Sequence, residues 1–162
     1  IVRPYFSEHA AHLFKFKLFG GHYGEMADAV PGRPVLWREG ETLAYLIDFM
    51  SDDGQTIDLR VDYNDSAPSS PYGLPDAKTM TRKVDVAIFC VASHAQQADY
   101  PRKYLEVMQP RHLLLGHWES FFGSFDKAVM PVRGTNVTTF LDAVKEYSFT
   151  LPDRHTVVTV KY

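Results

Sequence analysis

Val84-Asp85-Val86-Ala87-Ile88-Phe89-Cys90-Val91, then Asp99 to Gln109, then Leu113-Leu114-Leu115-Gly116-His117-Trp118, is the stretch on which the fold turns. The first segment is a continuous apolar run, the pattern of a strand covered on both faces. The second carries helix signals: Asp99 as a cap, Pro101 near the first turn, Tyr104, Leu105 and Met108 on one stripe, and Pro110 as a stop. The third, starting near His112, is another apolar run that delivers a histidine at its end. Strand, helix and strand in this order predict a right-handed βαβ unit with parallel strands. Their C-terminal ends then share one sheet edge, which brings Ser93-His94 and His117 to the same rim.

Working outward, Leu43–Met50 and Thr56–Tyr63 flank Ser51-Asp52-Asp53-Gly54-Gln55, and Asp-Gly between β-rich arms predicts a hairpin. Leu13–Phe19 alternates Phe14, Phe16 and Leu18 against Lys15 and Lys17, a period of two that predicts a half-buried strand stopped by Gly20-Gly21. Residues 22–41 read as a loop with a short helical turn at Glu25–Ala29, and Ala67–Pro75 as an extended surface loop. Downstream, Thr135-Asn136 caps a second helix to about Tyr147, with Val137, Phe140, Leu141 and Val144 inward. His155–Val160 is expected to be a last strand. The predicted class is α/β with α+β character: a mixed β-sheet with helices on one face, a single domain over residues 1–162.

Bulk properties remove several function classes. A net charge of -3 with no basic block gives phosphate-driven nucleic-acid binding no footing. No apolar run approaches the ~18 residues of a membrane span, so no membrane partner is expected. Cys90 is the only cysteine and cannot form an internal disulfide, which favours a cytoplasmic setting. Inside its apolar run it reads as a small buried filler. The chain opens on Ile1-Val2-Arg3 without a methionine or targeting segment, as expected of a piece of something longer or a processed product.

Several polar groups sit where strands stop, and each has a bland and a sharp reading. Asp65, after Ile57–Tyr63 and Asn64, is either the starter of an Asx-type turn or an anionic ligand at the sheet edge. His117 is either a core-edge histidine bonded to a carbonyl or a ligand for zinc, iron or manganese, with Glu119 on its other ring nitrogen. His94 is either a solvated loop histidine or a group that binds substrate or donates a proton. In Ser7-Glu8-His9-Ala10-Ala11-His12, His9 or His12 points toward the same site, but not both if the segment is extended. His22, His112 and His155 read as structural.

Taken in order, Ser7-Glu8-His9-Ala10-Ala11-His12 ahead of Leu18-Phe19-Gly20-Gly21, then Tyr63-Asn64-Asp65-Ser66-Ala67, then Pro110-Arg111-His112-Leu113-Leu114-Leu115-Gly116-His117-Trp118, resemble one known pattern. It is that of the C-terminal half of the metallo-β-lactamase-fold hydrolases, in the branch related to ascorbate-phosphate lactonases, across about residues 5 to 125. The resemblance implies half of an αββα sandwich. It implies two divalent metal ions, zinc first, with iron or manganese as alternatives, holding a water of lowered pKa. His9 would be the third histidine on the first metal, with His12 as its alternative. Asp65 would bridge both metals and His117 would complete the second. Asp65 and His94 would be the catalytic pair, His94 meeting the substrate or leaving group, and Phe121, Phe122 and Trp118 either wall the pocket or belong to the core. The substrate would be a small ester, lactone or phosphoester.

The family's His-x-His-x-Asp-His segment, which supplies most ligands, is missing from this sequence. The N-terminal half is therefore expected on another chain or lost, the isolated chain is expected to be inactive, and one sheet face is expected to lie bare and apolar. An N-terminal half-domain or self-association would cover it. The alternative is a non-catalytic assembly module using that open face as its interface, with vestigial histidines. A third reading, a small α/β ligand-binding domain, lacks a glycine-rich phosphate loop.

Overall fold

The computed structural model describes residues 1–11, 16–17, 19–25, 29–68, 72–124, 126–153 and 155–161. Six strands form one mixed sheet: β1 (Val2–Ser7), β2 (Thr42–Met50), β3 (Ile57–Asn64), β4 (Val86–Cys90), β5 (His112–Gly116) and β6 (Phe149–Thr150). Spatial order follows chain order, with β1, β2 and β3 antiparallel and β3 to β6 parallel. Two helices accompany the sheet, α1 (Arg102–Met108) and α2 (Val137–Val144), so the class is α/β with few helices.

The hairpin forms where Asp53-Gly54 allows it. Gly54 takes φ +70°, Ser51 N–H donates to Thr56 O at 2.9 Å, and the Asp53 carboxylate accepts from Ser51 Oγ and Gln55 N–H. The βαβ unit from β4 through α1 to β5 has the expected parallel strands. Asp99 does not cap α1: Pro101 holds the N-cap position with no side-chain bond, and the Asp99 carboxylate instead pairs with Arg102 at 2.7 Å. Asn136 does cap α2, accepting from Thr139 N–H at 3.1 Å, but the helix closes at Val144 rather than Tyr147.

The ends of the chain depart from expectation. The first strand is β1, residues 2–7, while Leu13–Phe19 lies largely outside the described residues, as do His12 and most of the Glu25–Ala29 turn. His155–Val160 holds no strand among the described residues; the sheet closes instead at β6. Pro152 follows two residues after Thr150 and has no N–H to extend the ladder.

Period-two register sorts the side chains onto two faces. One face carries Ala44, Leu46, Ala87, Phe89, Leu113 and Leu115, and of these Leu46, Ala87, Phe89, Leu113 and Leu115 join Tyr104, Leu105 and Met108 of α1 and Phe140 and Val144 of α2 in one core cluster. That same face also buries charge. Arg60 donates Nε and Nη2 to the two Asp48 oxygens at 2.6 and 2.9 Å, with Arg3 as a second partner of that carboxylate. Beside it Tyr5 Oη donates to Asp62 Oδ1, and Asp62 Oδ2 is buried without a partner among the described residues. Burial, opposed by the Tyr5 bond, pushes the Asp62 pKa up to about 7.

The opposite face is apolar and poorly covered. Register places Val2, Phe6, Leu43, Tyr45, Ile47, Phe49, Val61, Tyr63, Ile88 and Leu114 together there. Val2, Phe6, Leu43, Phe49 and Tyr63 are exposed, Phe49 at 53%. No helix among the described residues is long and apolar enough to cross a membrane.

Candidate metal centre

The parallel strands β3, β4 and β5 end level with one another: Asn64 pairs with Phe89, and Cys90 with Gly116. Asp65 is the first residue past β3, Cys90 is the last of β4, and His117 is the first past β5. One ligand atom from each of these three lies within 4.8 Å of the others. The Asp65 carboxylate reaches across the rim, its Oδ2 3.3 Å from His117 Nδ1.

Local backbone explains the placement. His117 turns off the strand at φ +53°, in the left-handed region, and so leaves the ladder at the rim. The loop that starts at Asp65 is closed by Gly73, whose φ is +72° and where a Cβ would stand 2.3 Å from Pro68 Cγ and 2.7 Å from Asn64 Nδ2. Gly73 N–H donates to Phe6 O and Asn64 Nδ2 donates to Gly73 O, both at 3.0 Å. The loop is thus pinned to the residue that precedes the ligand.

The electrostatics of the three groups are linked. The Asp65 hydrogen bond and charge raise the His117 pKa against the opposing effect of burial. Burial first, then the nearby Asp65 charge, pushes the Cys90 thiol up, and Sγ–H is bonded to Ala92 O at 3.4 Å. A carboxylate, an imidazole and a thiol brought together are an O, N and S donor set that suits zinc, and a cation among them would favour the thiolate.

The rim joins only part of the expected set. Asp65 and His117 meet; His9 is not in the triplet. The His9 segment runs beside the loop, with Ala10 N–H donating to Ser66 O at 3.0 Å, while His9 Nδ1 sits 2.8 Å from Ala10 O. His94 is buried rather than solvated, its Nδ1 3.0 Å from Val91 O and its ring edge-on to Phe140 at 5.2 Å. A carbonyl partner makes Nδ1 a donor, while Nε2 is buried and without a partner among the described residues. Glu119 does not hold His117; its Oε2 accepts from Trp118 N–H at 3.1 Å. Cys90 is the residue the sequence reading missed: the usable signal was its place at a strand end, level with the other two.

Trp118 is half-buried and tied down. Its indole donates to Pro152 O at 2.9 Å and packs on the core, whereas Phe121 and Phe122 stay exposed, with Phe121 edge-on to His117 at 6.2 Å. No family model, curated protein or solved structure matches this chain.

Proposed function

We propose that this chain is the C-terminal half of a metallo-β-lactamase-fold, metal-dependent hydrolase acting on a small ester, lactone or phosphoester. The observation that carries the reading is the Asp65–Cys90–His117 triplet on the rim of three adjacent parallel strands. Three protein ligands with an open fourth position are the arrangement of catalytic zinc, and the thiol disfavours magnesium or calcium. The triplet accounts for one ion, zinc first, with iron or manganese as alternatives. A second would draw on Asp65 as a bridge, on His9 or His12, and on residues beyond this chain. When bound, such ions acidify a water and polarise the scissile group. Asp65 and His117 orient each other, and His94, buried against Phe140, would have to be uncovered before its Nε2 could exchange a proton with substrate or leaving group.

The bare apolar sheet face supports the half-sandwich reading: an N-terminal half-domain, or a second copy, would cover it. The same face also favours the second reading, an assembly module without catalysis. Metal analysis of the zinc-equilibrated chain separates the two. Stoichiometric zinc, lost in Asp65→Ala and in His117→Ala, supports the hydrolase; unchanged zinc in both variants, or none in the wild type alongside tight self-association, removes it.

A further inference from the structure

Beyond His117 the chain makes a closed loop. Glu119 bridges Pro131, Ser120 N–H donates to Met130 O at 2.7 Å, and Val132 N–H donates to Trp118 O at 2.8 Å. The Trp118 indole ties the base of the loop to Pro152. Out of this fixed base the loop presents Phe121 at 69% exposure and Phe122 at 87%, their ring centroids 4.4 Å apart. Two adjacent phenyl rings left in water form an apolar patch of the kind that marks a binding site. Phe121 lies edge-on to the His117 imidazole, so a molecule held at His117 meets these rings at once. Beside them a cavity of about 280 Å³ is lined by Phe122, Val129 and Met130, with Lys127 among its polar members. That volume is just below the roughly 300–1,000 Å³ of small-molecule sites, and its apolar members suit a hydrocarbon group.

We infer that Phe121 and Phe122 select the substrate, holding an apolar acyl tail whose carbonyl end lies at the His117 rim. The inference rests on the hydrolase reading above and narrows it to esters or lactones with an aliphatic tail. The pair follows β5 in the chain and is not among the residues whose register forms the bare sheet face.

The test uses product-like carboxylates of increasing length, from acetate through butanoate to octanoate, titrated into the zinc-equilibrated chain by calorimetry. Affinity is expected to rise about tenfold or more from butanoate to octanoate, a fraction of the full burial of four methylenes. Phe121→Ala combined with Phe122→Ala is expected to flatten that rise while zinc content stays unchanged. A rise that survives in the double variant, or is absent from the wild type, overturns the inference. Loss of zinc binding in the wild type sinks the hydrolase reading instead, and the length dependence then still judges the aromatic pair. Binding to phosphatidylcholine vesicles that needs both rings, without any length dependence for the free acids, assigns the pair to a lipid surface and overturns the substrate role.

Discussion

Arg60 lies side-on to Asp48 within the core, two parallel N–H···O bonds at 2.6 and 2.9 Å between side chains no more than 1% exposed. Removing Arg60 leaves the buried Asp48 carboxylate with the partly exposed Arg3 as its remaining charged partner among the described residues. Arg60→Leu alone is therefore expected to destabilise the fold by about 3 kcal/mol, the low end for a broken buried pair because Arg3 remains, read by urea denaturation. Arg60→Leu with Asp48→Leu should recover most of that loss, because no buried carboxylate then lacks its partner and Arg3 can turn to water. Equal losses in the single and double variants would show that packing, not charge, dominates there.

Asp62 gives the pH dependence of stability an unusual sign. Its pKa is raised to about 7 in the folded protein, so the native state binds its proton more tightly than the unfolded chain does. The contribution is fully present below the ordinary carboxylate range near 3.8 and is lost as pH rises through about 7. Asp48 works in the opposite direction: burial raises it, but Arg60 and Arg3 outweigh that and depress it, so its contribution falls away only in acid. Stability measured from pH 4.5 to 8 should decline in the wild type and stay flatter in Asp62→Asn. Parallel profiles for the two proteins would remove Asp62 as the cause.

Cobalt(II) reports directly on Cys90. If the thiol is a ligand, adding cobalt to the metal-free chain should produce a thiolate-to-metal charge-transfer band in the near ultraviolet. Cys90→Ser should lose that band. A band that persists in the variant, or is missing from the wild type despite cobalt binding, excludes sulfur from the site.

The bare sheet face should make the isolated chain associate with itself. Leu43→Lys with Phe49→Lys places two charges where the side chains are 42% and 53% exposed. Sedimentation should show less association, with unfolding free energy changed by no more than about 0.5 kcal/mol per site. Undiminished association would place the contact elsewhere.

Legibility in the sequence followed how local each signal was. Asp53-Gly54 and the apolar runs around α1 announced the hairpin and the βαβ unit because turn chemistry and periodicity act over a few residues. β1 was missed since Arg3 and Pro4 break its alternation, and its pairing with β2 is settled forty residues away. His155–Val160 was β-rich yet is not in the sheet, where β6 and then Pro152 end the ladder first. At the rim, Asp65 and His117 were visible as polar groups at strand ends. Cys90 was hidden, because an apolar neighbourhood makes a thiol look like filler, and only strand register shows which carboxylate and imidazole it faces. His94 looked solvated because nothing near it in the chain signals Phe140, which covers it.

Gly73 bears on timing as well as shape. Its contacts with Asn64 and Phe6 lock the far end of the Asp65 loop before any cation arrives. An ion taken up by the proposed triplet would therefore meet a rim whose Gly73 end is already fixed. Even one added methyl, as in Gly73→Ala, would push Pro68 and Asn64 apart and slacken the stretch of chain that leads to the rim.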